Sequence, residues 1–260
     1  MPILPFSSLE LPAVIGHRGA AARAPENTLA GLRRAKALGC SWVEFDVRLT
    51  GDGVPVLCHD PKLDRTTDGS GPVAARSFAA IRDCDAGAWF GPEFADERVP
   101  TLDEALTLAA ELGLAANIEI KSERGRDYAT AAAIAATLRD RAPPVLVSSF
   151  QLPAVAAIRA LAPQAARGVL FHLVPRSWRE TAHRLGCTAI GADHRRLWPR
   201  RVAAIRDAGY PLMAFTVNDP TRARLLYAWG VTSVFSDVPD IILRASARPR
   251  PVLAPQEAIG

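Results

Sequence analysis

The chain has 260 residues, 49% of them hydrophobic, and a formal net charge of +4. That hydrophobic share is too high for a disordered chain and enough for a sizeable core, and no apolar run approaches the roughly 18 residues needed to span a bilayer. Arginine carries most of the positive charge but is spread along the chain, which argues against a nucleic-acid-binding surface.

Ala13-Val14-Ile15-Gly16 reads as a short apolar strand that delivers His17-Arg18-Gly19-Ala20. Pro25-Glu26-Asn27-Thr28 leads into a helix over Leu29 to Leu38, stopped by Gly39, with Asn27 or Thr28 as its N-cap. A second strand opens at Trp42. The turn Thr50-Gly51-Asp52-Gly53 sends the chain back as Val54 to Cys58, which ends in His59-Asp60. Pro61 to Pro100 is turn-rich with little periodicity, and a helix follows to about Leu112, before Gly113.

From there strands and helices alternate. Strands are expected over Ala115 to Ile120, Val145 to Ser148, Ala166 to Leu170, Ala189 to Ala192, Leu212 to Thr216 and Ser233 to Phe235. Helices are expected over Asp127 to Arg141, Gln151 to Leu161, Pro175 to Leu185, Pro199 to Ala208, Asp219 to Trp229 and about Val238 to Ala245. The tail, from about residue 247, is proline-rich and expected to be loose. Eight strands, each with a helix after it, predict a single α/β domain built as a TIM-type (β/α)8 barrel. The doubly wound open sheet comes second, because it uses fewer strands and no GxGxxG follows the first one.

The four cysteines, Cys40, Cys58, Cys84 and Cys187, form neither a CxxC pair nor a metal-ligand spacing, and the opening MPILPFSSLELP lacks the features of a signal peptide. A cytoplasmic protein with reduced thiols and no stable membrane insertion is the expectation.

In a β/α barrel the reacting groups gather where strands end. Glu44 and Asp46 are two apart in a strand, so their carboxylates leave the same face. Glu119 and Lys121 repeat that spacing. Carboxylates this close repel one another unless a cation lies between them, and an oxygen-only set favours a hard ion, Mg²⁺ or Ca²⁺, over zinc. Arg18 and Lys121 supply positive charge for a phosphate. His17 and His59 bring imidazole, the one side-chain type suited to proton transfer near neutral pH unaided, and two of them allow one to act as base and the other as acid. Together these groups describe phosphate-ester cleavage.

Other residues have blander readings. Glu26 and Asn27 read as caps or as substrate contacts, Asp60 as a turn cap or an orienter, and Arg65-Thr66-Thr67 as an anchor for the insertion. Ser148, Ser149, Phe150 and Asp193 are weaker pocket candidates. His172, His183 and His194 read as surface or loop residues, Asp237 as a barrel-closing group, and the basic run from His194 to Arg201 as a solvated helix entry.

His17-Arg18-Gly19, Pro25-Glu26-Asn27-Thr28, Glu44-Phe45-Asp46-Val47, Asp52-Gly53, His59-Asp60, Arg65-Thr66-Thr67-x-Gly69 and Glu119-Ile120-Lys121 resemble the motifs of the glycerophosphodiester phosphodiesterases, in order, from about Val14 to Pro239. The resemblance implies a barrel with a small insertion after strand two, here about 61–99. It also implies Mg²⁺- or Ca²⁺-dependent hydrolysis of glycerophosphodiesters to sn-glycerol 3-phosphate and an alcohol. Carried over, Glu44, Asp46 and Glu119 hold the metal, His17 and His59 are general acid and base, and Arg18 and Lys121 bind phosphate. Phe215 stands where the family commonly has tryptophan on the glycerol side; it can still stack but has no N–H to donate. Phe45 replaces a smaller aliphatic and is expected on the outward face. The enzyme alternative is a lysophospholipase D-type phosphodiesterase, which needs an acyl groove near Trp89, Phe150 and Phe215.

Overall fold

A computed structural model describes residues 10–139 and 144–246. The expected loose tail falls outside them, as does the end of the helix expected to reach Arg141. The parallel strands are β1 (Val14–Gly16), β2 (Trp42–Leu49), β4 (Ala115–Ile120), β5 (Val145–Ser149), β6 (Ala166–Phe171), β7 (Ala189–Asp193), β8 (Leu212–Phe215) and β9 (Ser233–Ser236). β1 pairs with β9 through Val14 and Val234 and with β2 through Gly16 and Val43, which closes the ring into the expected TIM-type barrel. β3 (Pro55–Leu57) is the hairpin return, antiparallel to β2.

A barrel strand is covered on both sides, and all eight residues of β2, WVEFDVRL, are buried. The alternation sorts them. Val43, Phe45 and Val47 face the helical layer and pack with Leu32, Leu106 and Ile118, so Phe45 lies on the outward face as expected. Trp42 points inward and joins Ile15, Leu146, Met213 and Phe235 in a plug made of strand residues. Glu44 and Asp46 share the inward face and stack above that plug, towards the C-terminal mouth.

The helices are α1 (Leu29–Ala37), α2 (Phe78–Arg82), α3 (Leu102–Glu111), α4 (Asp127–Leu138), α5 (Leu152–Leu161), α6 (Trp178–Leu185), α7 (Pro199–Asp207), α8 (Pro220–Trp229) and α9 (Pro239–Ser246). Thr28 caps α1 by accepting from the Gly31 N–H, and a reciprocal Thr101–Glu104 capping box starts α3. α6 begins three residues later than Pro175, because Pro175 to Trp178 first closes a turn, Trp178 N–H to Pro175 O at 3.3 Å. The segment after β3 contains α2, absent from the sequence reading, and packs Leu63, Val73, Ile81 and Val99 into a small core of its own. None of the described helices is long and apolar enough to cross a membrane.

Candidate active site

The register of β2 against β4 places Asp46 beside Glu119. Glu44, Asp46 and Glu119 each offer an oxygen within 4.8 Å of the other two. Glu44 is 2% exposed, and its Oε1 is buried with no hydrogen-bond partner. Burial, reinforced by Asp46, raises the carboxyls of Glu44 and Glu119, the latter to about 7. Asp46 goes the other way. Burial pushes it up, but Lys121 and Arg18 outweigh this and hold it at about 2. A buried trio with an orphaned oxygen fits a hard divalent cation, which would satisfy that oxygen and remove the mutual repulsion.

Two cations flank the trio. Lys121 Nζ lies 3.3 Å from Asp46 Oδ1 and contacts Glu119. Arg18 Nε lies 3.2 Å from Asp46 Oδ2, and the Arg18 backbone N–H donates to Glu44 Oε2 at 3.0 Å. The backbone around Arg18 is tightly wound: Arg18 has φ +50° and Gly19 φ +88°, and a Cβ on Gly19 would lie 2.6 Å from the Gly31 carbonyl carbon. Asn27, one of the two cap candidates, caps nothing. Its Nδ2 donates to Asp46 Oδ2, and its Oδ1 accepts the Asp46 N–H, both at 3.0 Å.

The imidazoles approach from either side. His17 Nδ1 donates to Asp237 Oδ1 at 2.6 Å, and Asn218 Nδ2 donates to the other Asp237 oxygen at 2.6 Å. His59 Nδ1 donates to Asp60 Oδ1 at 2.6 Å, and Arg65 holds that carboxylate from beyond. Because an ionised carboxylate can only accept, each Nδ1 carries a proton and Nε2 is left for exchange. His17 Nε2 sits 3.9 Å from Glu44 Oε2. His59 is pushed below its usual range by burial first, with Arg18 and Lys121 adding, against the pull of Asp46 and Asp60. Asp237 is thus more than a barrel-closing group, since it orients His17; Asp60 orients His59, one of its two expected roles.

These groups share a cavity of about 360 Å³ whose far wall holds Phe150, Phe215 and Phe235. Phe215 meets Phe150 edge-on at 5.4 Å. Ser148 and Ser149 are tied into the barrel instead, through Asn117 and the Ile120 carbonyl. Asp193 lines the rim and binds Arg195 through both oxygens. His172, an exposed loop residue as expected and stacked on Phe150 at 4.3 Å, and His194 also line the cavity, which the sequence reading did not assign to them. The signal was available: both directly follow the last residue of a barrel strand, β6 and β7, where reacting groups collect. His183, on α6, is not part of the site. Trp89 lines a second cavity of about 430 Å³, under the insertion, which shares His17 and Arg18 with the first. The aromatics named for the acyl groove of the lysophospholipase alternative thus line two cavities that meet at His17 and Arg18, Trp89 one and Phe150 and Phe215 the other.

The sequence profile of the glycerophosphoryl diester phosphodiesterase family matches residues 17–241. A glycerophosphodiester phosphodiesterase of Caldanaerobacter subterraneus subsp. tengcongensis is 33% identical over 236 residues, covering 88% of this chain and 96% of that protein. Among solved structures, an Oleispira antarctica phosphodiesterase in complex with the product sn-glycerol-3-phosphate is 41% identical, with a TM-score of 0.90 over 92% of this chain and 98% of that one. A glycerophosphodiester phosphodiesterase from Agrobacterium tumefaciens is 28% identical, with a TM-score of 0.76 over 91% of this chain and 100% of that one. A profile match across nearly the whole barrel, over a site with the same motifs in place, means that the chain belongs to the glycerophosphoryl diester phosphodiesterase family.

Proposed function

We propose that the protein hydrolyses glycerophosphodiesters to sn-glycerol 3-phosphate and an alcohol, using Glu44, Asp46 and Glu119 to hold one divalent cation, Mg²⁺ or Ca²⁺. The observation that carries this reading is the convergence of three buried carboxylates within 4.8 Å, between two imidazoles each anchored by its own aspartate. When bound, the cation would neutralise charge that develops on the phosphate.

The chain's own residues supply the rest. Arg18 and Lys121 bind the non-bridging phosphate oxygens and keep the diester against the carboxylate trio. One imidazole Nε2 takes the proton from the attacking oxygen as its bond to phosphorus forms. The other gives a proton to the departing alkoxide as the phosphorus–oxygen bond breaks; the two rings have then exchanged protonation states, and proton exchange with solvent resets them once one water has been consumed. Asp60 and Asp237 keep both rings aimed and stabilise each imidazolium when it forms. Phe215 and Phe150 offer an apolar wall to the glycerol carbons. The free cysteines, three of them buried, fit a reducing cytoplasm.

The test is hydrolysis of glycerophosphocholine by chelated enzyme, with each divalent ion added back. Glu44→Ala and Asp46→Ala should abolish turnover and metal binding while circular dichroism stays native. Wild-type turnover in either variant rules the reading out.

A further inference from the structure

Arg65 lies in the insertion, outside the barrel, yet its guanidinium reaches the mouth and forks onto two carboxylates. Nε and Nη2 donate to Asp60, at 2.7 and 3.1 Å; Nη1 and Nη2 donate to Glu26, both at 2.8 Å. Each carboxylate has a second duty. Asp60 Oδ1 holds the His59 ring, and Glu26 Oε1 accepts from Arg18 Nη1 at 2.8 Å. A continuous chain of charge-assisted bonds therefore runs His59–Asp60–Arg65–Glu26–Arg18 and ends 3.2 Å from Asp46.

The loop that presents Arg65 is stiff. Leu63 is buried in the insertion's core, the Leu63 N–H donates to Gly71 O, Thr67 Oγ1 donates to Leu63 O at 2.9 Å, and the Gly71 N–H donates to Asp64. Arg65 itself is 45% exposed, so its ion pairs add little to global stability. What they fix is geometry: without the fork, two like-charged carboxylates face each other and lose the partner that sets their distance.

We propose that Arg65 is a positioning residue that couples the His59 imidazole to the phosphate-binding Arg18, so that seating of the insertion sets the geometry of both. This goes beyond an anchoring role for the insertion and rests on the function proposed above, in which His59 transfers a proton and Arg18 holds the phosphate.

Steady-state hydrolysis of glycerophosphocholine by the metal-loaded full-length protein tests it. Arg65→Ala should lower kcat by about 10- to 100-fold, the range found for residues that orient reacting groups from behind, and raise KM. Methylguanidinium in solution should restore kcat saturably. Arg65→Lys should keep the melting temperature but stay impaired, because an ammonium cannot fork onto two carboxylates. The effects of Arg65→Ala and Asp60→Asn should combine to less than their product. Arg98→Ala, which removes an arginine anchor of the same segment that touches no site residue, should leave kcat and KM unchanged. Normal kcat and KM in Arg65→Ala with a lowered melting temperature, or an equal loss in Arg98→Ala, overturns the coupling and leaves the hydrolase reading intact. Failure of the wild-type protein to hydrolyse the substrate overturns both.

Discussion

Asn27 and Asp237 touch no reacting atom in the proposed mechanism, yet each holds one that does. Asn27 fixes Asp46 through two hydrogen bonds that share one asparagine side chain. Asn27→Ala leaves that carboxylate positioned by Lys121 and Arg18 alone, so divalent-ion affinity should fall by about 10- to 100-fold, measured by titration calorimetry on the folded variant. Asp237→Asn replaces an obligate acceptor with a group that can donate to His17 Nδ1, which lets the ring adopt the wrong tautomer. Its kcat should fall by at least about 10-fold, a part of the 10²–10⁴ that a positioned acid or base contributes, with KM nearly unchanged. An unaltered kcat would show that the Asp237–His17 bond has no part in turnover.

At the scale of single elements, the carboxylate Glu119 depends on how β4 is delivered, and α3 delivers it. Thr101→Ala removes the capping box that starts α3 and should cost about 1 kcal/mol, or about 2–4 °C in melting temperature, without changing kcat. The turn between β1 and α1 is less forgiving. Gly19→Ala adds a Cβ that meets Gly31 backbone at a φ that side chains avoid. Arg18, next to it, would have to shift, so this variant should lose phosphate affinity, read as a higher KM, as well as stability.

For the molecule as a whole, the buried trio links metal binding, pH and stability. The carboxyls of Glu44 and Glu119 are raised from about 4.5 in the unfolded chain, Glu119 to about 7. Each contribution to stability is therefore complete below about pH 4.5 and is lost as the pH rises through that group's raised folded-state value, about 7 for Glu119, in the metal-free protein. A divalent ion binds the deprotonated carboxylates and must displace protons at low pH. The rise in melting temperature on adding Mg²⁺ should thus be small at pH 5 and large at pH 8, by differential scanning fluorimetry. His59, lowered mainly by burial, has the opposite sign, its contribution being present above about pH 6.5 and lost as the pH falls below that through its lowered folded-state value, but it enters both the metal-free and metal-loaded measurements. Equal shifts at the two pH values contradict a carboxylate metal site.

The alternation of short apolar runs with helical segments, and the two-residue spacings Glu44–Asp46 and Glu119–Lys121, determined the barrel and the shared inward face of its carboxylates. These are local properties: strand period and side-chain direction follow from neighbouring residues alone. Asn27, by contrast, looked like a cap because Asn before a helix usually is one, and Thr28 was equally able to fill that position. Asp237 lies 220 residues from His17 along the chain, and Arg65 lies 39 from Glu26, so no window of sequence contains either pair. Only closure of the ring brings β9 beside β1, and only the seated insertion brings Arg65 over the mouth. The sequence by itself singled out the residues to which the proposed chemistry is assigned; the tertiary structure decided which residues hold them in place, because such contacts depend on distances that exist only once the barrel has closed.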